Sequence, residues 1–298
     1  MRARRQPARG CATVLEAGPM AVQWYPGHMT KARRELADLM PSQDVIIEVL
    51  DARMPAASAN PFVAEIRREK PCVKVLSKAD LADPEVTAGW LAHFEADESV
   101  LAIATTLAMA AEVKTRVPAL CERISRRTRG PTKTTRAVIV GIPNVGKSSL
   151  TNTLMGRNVA AVSDKPAVTK VRQLVTLPSG IALSDNPGLL WPKIEDNAAT
   201  MRLALGGAIP DTALDYESVA LFGARFFLEK YPALVMARYK LKTLPATATE
   251  LIEEIGRRRG CLRAGGVIEV YKAASILVHD FRSGALGRIS LERPRSMT

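Results

Sequence analysis

The chain has 298 residues, 47% hydrophobic and 24% charged, a globular composition long enough for one large domain or two ordinary ones. Its 42 lysines and arginines exceed the 30 acidic residues, and the formal charge of +12 points to a polyanionic partner, most simply nucleic acid. The scattered Cys11, Cys72, Cys121 and Cys261 argue against a zinc site or disulfide framework, and the longest uncharged stretch, residues 99–111, falls short of the about 20 apolar residues of a membrane helix.

Residues 1–19 carry Arg2, Arg4, Arg5 and Arg9 against the single acid Glu16. They read as a disordered basic tail or an upstream start, with Met20 opening the patterned segment and the cytoplasm as location. The other reading is a transit peptide, which would take the chain to the mitochondrial matrix.

From Asp44 strands and helices alternate. Val45–Leu50 is a strand that runs into the turn Asp51-Ala52-Arg53-Met54-Pro55. Asn60 and Pro61 open a helix to about Arg68, in cap-then-proline order. A strand at Cys72–Leu76 ends on Ser77-Lys78-Ala79-Asp80, and Asp83-Pro84-Glu85 starts a helix to about Phe94. A strand at Val100–Ile103 and a helix over 110–127 lead to a linker, 128–134. The apolar run 137–140 then precedes Gly141-Ile142-Pro143-Asn144-Val145-Gly146-Lys147-Ser148, with helix following from Ser149. Strands near 172–177 and 181–183 complete the α/β pattern of a mostly parallel sheet covered on both faces. Past about Met201 the chain turns helical, with helices over 217–230, 249–258 and 270–282. This divides the chain into a basic tail (1–19), an α/β domain (20–200) and a C-terminal helical domain (201–298).

Residues 141–148 fit G-x-x-x-x-G-K-[ST] in its required strand–loop–helix context. Backbone N–H groups from Asn144 through Ser149, including Val145 and Gly146, would cradle nucleotide phosphates. Lys147 would neutralise the β- and γ-phosphates, and the Ser148 hydroxyl would ligate Mg²⁺. Asp185-Asn186-Pro187-Gly188 ends the last strand, where Asp185 would hold Mg²⁺ through water and the Gly188 N–H would meet the γ-phosphate. Thr169 is the candidate switch threonine, a further Mg²⁺ ligand. Asp80 can accept from guanine N1–H and the 2-amino group, which adenine cannot supply, while Lys78 lies along the base. In an ordinary GTPase this base-reading motif follows the P-loop. Here it comes first, so the P-loop GTPase domain reads as circularly permuted.

The order of Trp24-Tyr25-Pro26-Gly27-His28-Met29, Leu50–Pro55, Gly141–Ser148, Asp185–Gly188 with Leu190-Trp191-Pro192, and Gly260-Cys261-Leu262 resembles the circularly permuted GTPases of bacterial large-subunit ribosome assembly, the YlqF/RbgA family. The resemblance runs from about Val22 to the C-terminus. It implies a GTP-hydrolysing factor for a late step of 50S assembly, stimulated by the ribosome, with an rRNA-binding helical domain. It places the loop beside the base at Ala104-Thr105. It also implies that His28 takes part in hydrolysis and that Asn144 coordinates K⁺, although a lone histidine reads equally as structural. Three positions depart from the usual residues. Ser77 replaces the family Asn and should lose hydrogen bonds to the base or to neighbouring loops. Ala167 replaces a Gly before the switch threonine. Leu189 stands where a water-orienting Gln is usual, a departure the family shares. The basic clusters Arg123–Arg136 and Arg257–Arg263 are candidate RNA contacts, and nothing in the chain suggests an obligate oligomer. Two alternatives stay open: an NTPase with relaxed base choice, and a nucleotide-regulated RNA-binding scaffold with negligible turnover.

Overall fold

The computed structural model describes residues 27–129, 134–156, 173–185, 196–210 and 215–295. Helix α1 (Gly27–Leu39) leads into β1 (Val45–Asp51), short α2 (Pro55–Ser58) and α3 (Pro61–Arg67). Next come β2 (Cys72–Ser77), α4 (Pro84–Glu95), β3 (Val100–Ala104) and α5 (Ala110–Arg129). Then follow β4 (Arg136–Val140), α6 (Lys147–Met155), β5 (Gln173–Thr176) and β6 (Ala182–Asp185). The rest is helical: α7 (Asn197–Gly206), α8 (Tyr216–Lys230), α9 (Pro232–Tyr239), α10 (Ala248–Arg259) and α11 (Val270–Arg282).

Local chemistry sets these boundaries. Asn60 accepts from Phe62 N at 3.0 Å and Asp83 accepts from Glu85 N at 3.0 Å, each capping a helix whose first residue is proline. The helix read over 110–127 continues through Arg129, so α5 takes up the first two residues read as linker. The turn at Pro55 is a helical turn, since proline at a first helical position needs no N–H partner.

The strands form one sheet in the order β3-β2-β1-β4-β6-β5, all parallel except β5, which runs antiparallel to β6. β1 is buried along its whole length, with Val45, Ile46, Ile47, Val49 and Leu50 at most 1% exposed, as a strand covered on both faces must be. From β1 the chain steps outward to β2 and β3, returns to lay β4 on the other side of β1, and continues to β6. The order therefore reverses between β1 and β4. In open α/β sheets the crevice beyond the carboxyl ends at such a reversal is where ligands bind.

The helical part packs on the sheet part. Leu205 of α7, Val219 and Phe227 of α8, Leu251 and Ile255 of α10 and Leu277 and Phe281 of α11 share one apolar core with the strands. Phe227 and Phe281 meet at 5.4 Å between ring centroids. Arg238 of α9 clamps Asp280 of α11 with two bonds of 2.7 and 2.8 Å. The segment after α11 returns to the sheet: Ile289 N donates to Leu81 O, Leu291 N to Arg53 O and Asp83 N to Ser290 Oγ.

Candidate functional site

The carboxyl ends of β1, β2, β3 and β4 bring the predicted loops together. After β4 the chain turns at Gly141, where a Cβ would stand 2.6 Å from Val49 O, so no larger residue lets the loop pass β1 this closely. Asn144 and Gly146 both have positive φ, 57° and 102°. Left-handed residues of this kind turn successive N–H groups inward into an anion-binding nest, and here α6 begins directly behind it. Lys147 is buried and folded over its own loop, donating to Ile142 O at 2.8 Å. Ser148 and Ser149 sit half-buried in the first turn of α6, where P-loop geometry requires them.

The Ser77–Asp80 tetrapeptide, the expected base reader, is tied to this loop by its first two residues. The Ser77 hydroxyl lies 2.5 Å from Val145 O and 3.0 Å from Leu50 O, its single proton serving either. The expectation that serine loses its hydrogen bonds to neighbouring loops is therefore corrected. The short side chain reaches the P-loop because the two loops lie in van der Waals contact here: a Cβ built at Gly146 would stand 3.6 Å from that of Ser77. Lys78 has left-handed backbone (φ 56°) and donates from Nζ to Asn144 O at 2.8 Å and to Asp51 Oδ2 at 2.9 Å. Ala79 N donates to Thr105 O and Thr105 N to Leu76 O, so the Ala104-Thr105 segment lies against the same loop. Asp80 is exposed on the following 3-10 turn, Ala79–Leu81.

Sequence reasoning named the Asp51-Arg53 motif but gave it no role. Both side chains are 1% exposed. Arg53 grips Asp51 with Nε–Oδ1 at 2.9 Å and Nη2–Oδ2 at 2.8 Å, a bidentate pair. Burial opposes ionisation of Asp51, yet the charges of Arg53 and Lys78 outweigh it and hold the carboxyl well below the usual carboxylate range. Removing one partner would leave a buried charge at a cost of roughly 3–5 kcal/mol. Asn144 was also only partly anticipated: its Nδ2 donates to Gly207 O, just after α7, at 2.8 Å. The links of Lys78 to Asp51 and of Asn144 to Gly207 are not legible from spacing, since those partners lie far apart in the chain.

Other expected site residues are placed only in part. His28 falls in the first turn of α1 and Asp185 ends β6 beside Ile139 of β4, but both side chains lie outside the described residues. Thr169, Gly188, Leu189 and residues 1–26 also lie outside them. Among the described residues, no group of three or more His, Cys, Asp or Glu is arranged to hold a metal, and no helix is long and apolar enough to cross a membrane.

Arg257, Arg258 and Arg259 close α10, each beside an acid: Arg257 on Glu253 and Glu254 at 2.9 and 2.7 Å, Arg258 on Glu254 at 3.2 Å, Arg259 4.0 Å from Asp280. The (i, i+4) spacing of Glu253 and Glu254 to Arg257 and Arg258 is a signal the sequence carried. Exposed pairs of this kind contribute only about 0–1 kcal/mol, so a phosphate can displace them.

A family model described as "50S ribosome-binding GTPase" matches residues 136–213, from β4 onward. Ribosome biogenesis GTPase A of Bacillus licheniformis is 40% identical over 284 residues, 93% of this chain and 100% of that protein. Two solved structures match at 26% identity: GDP-bound TM YlqF, with TM-score 0.62 over 88% of this chain and 99% of that one, and GNP-bound YlqF from T. maritima, with TM-score 0.61 over 89% and 99%.

Proposed function

This chain belongs to the ribosome biogenesis GTPase A family, and from that premise we propose that it is a checkpoint in a late step of large-subunit assembly. It is a GTPase of ribosome biogenesis with a circularly permuted P-loop fold. The observation that best supports its guanine reading is the pair of bonds, Ser77 Oγ to Val145 O and Lys78 Nζ to Asn144 O, that join base loop and P-loop into one crevice. In this reading Asp80 accepts from the guanine edge, with Ala79, Ala104 and Thr105 beside the base. Asn144 to Ser149 and Gly188 surround the phosphates, and Lys147 turns from Ile142 O to the β- and γ-oxygens.

A hydroxyl at Ser148, a carboxylate at Asp185 and a hydroxyl at Thr169 are hard oxygen donors of the kind Mg²⁺ prefers. Bound there, the ion would neutralise charge building on the phosphates. The Asn144 amide nitrogen donates to Gly207 O, and in this reading Asn144 is also the K⁺ ligand. Residues 20–200 form the GTPase domain in this account. The helical domain, 201–298, binds ribosomal RNA, and the protein works as a cytoplasmic monomer.

The base assignment is tested by Asp80→Asn. An amide N–H meets the xanthine 2-carbonyl, so the variant should bind XTP more tightly than GTP, with GTP affinity reduced at least about tenfold. Nucleotide titration checks this, and a variant that still prefers GTP removes Asp80 as the reader.

The RNA assignment is tested by reversing the charge of Arg257, Arg258 and Arg259 together. Association with large-subunit particles releases counterions in proportion to the phosphates neutralised. Co-sedimentation across a salt series should therefore weaken, and its log–log slope flatten by roughly 2–3. An unchanged slope assigns these arginines to their own carboxylates.

A further inference from the structure

Lys78 holds a backbone conformation that a non-glycine residue adopts only at a cost, so something must keep it there. Its own ammonium supplies one restraint, anchored on Asp51 Oδ2 at 2.9 Å. Asp51 cannot turn away, because Arg53 occupies both its oxygens and the Arg53 backbone N–H adds a third bond at 3.1 Å. Arg53 in turn is fixed from the helical part. Its guanidinium lies 4.7 Å from the Phe281 ring centroid of α11, Nη1 donates to Phe281 O at 3.4 Å, and its carbonyl accepts from Leu291 N at 2.7 Å. The same C-terminal segment bonds the far side of the base loop, through Ile289 N to Leu81 O at 2.9 Å, one residue beyond Asp80.

We infer that Arg53, braced by Phe281, is a positioning residue for the guanine-reading loop, so that the helical part sets how well the protein recognises its base. Without the bidentate grip, Asp51 is free to rotate, Lys78 relaxes from its left-handed conformation, and the turn carrying Asp80 moves off the guanine edge. The phosphate cradle gives up at most its bond from Lys78 to Asn144 O and stays in place on β4 and α6, because Asn144 keeps its bond to Gly207 O and Val145 O its bond from Ser77. This inference rests on Asp80 being the base reader.

The test compares GTP with ITP, which lacks the 2-amino group, by titration of the full chain. Arg53→Lys keeps the charge and loses the fork. Phe281→Leu keeps apolar bulk and loses the ring face, without touching the nucleotide site. The parent should prefer GTP by at least about tenfold, the worth of one hydrogen bond to a charged acceptor. Both variants should cut that preference at least about threefold while ITP affinity changes less than about twofold. Ile255→Val, a loosening of the core between α10 and its neighbours, should leave the preference intact although it lowers thermal stability. If Arg53→Lys does not fold, Phe281→Leu decides alone. GTP and ITP weakened equally, with the preference retained, would overturn the inference and leave Arg53 a buried structural ion. A parent without preference would instead refute Asp80 as reader, and the inference with it.

Discussion

Lys147→Ala should lose GTP binding by at least a hundredfold while the protein stays folded. The ammonium is the one cation that the P-loop motif sets on the β- and γ-phosphates. Two charge-assisted contacts of roughly 1.5–3 kcal/mol each lie at stake, against about 1.4 kcal/mol per tenfold in affinity. The cost to the fold is much smaller. In this structure Lys147 makes a hydrogen bond of 2.8 Å to Ile142 O, at most roughly 1.5–3 kcal/mol for a charged donor, and relief of the buried charge offsets part of its loss. Titration with GTP, beside a thermal melt of both proteins, separates the two effects. A variant that binds GTP as the parent does would contradict the phosphate cradle at residues 141–148.

His28→Ala should remove at least nine-tenths of the particle-stimulated hydrolysis and spare GTP affinity. The position after Gly188, where a water-orienting Gln is usual, holds Leu189. Another group must then prepare the water, and general base or water-orienting roles are worth about 10²–10⁴ in rate. His28 lies in the first turn of α1, directly before the chain enters β1 through residues 40–44. Acting only in the transition state, its imidazole should move kcat and leave ground-state binding alone. Stimulation equal to the parent's would leave His28 a structural residue.

Much of this molecule was legible before its structure. The strands announce themselves as short runs of Val, Ile and Leu between turn residues, and the P-loop carries its geometry in its glycines. The caps Asn60 and Asp83 sit where local hydrogen bonding places them. What the sequence concealed is nonlocal. Ser77 looked like a weakened asparagine, yet the P-loop lies close enough for its hydroxyl to reach Val145 O. Arg53 looked like a turn residue, yet it is buried because Phe281, distant in the chain, covers its guanidinium. The attachment of Asn144 to Gly207 likewise depends on where α7 ends against the sheet. Periodicity and motif spacing report on neighbours along the chain, and these three contacts join segments that only the finished fold brings together.

The most direct test of the assembly-checkpoint account is steady-state GTP hydrolysis by the unaltered chain, alone and with purified large-subunit particles, at matched nucleotide occupancy in potassium and in sodium. Slow turnover alone, acceleration by free or immature particles, and a faster stimulated rate in potassium are the expected result. Particles that bind the protein and leave its turnover unchanged would contradict the account and favour an RNA-binding scaffold.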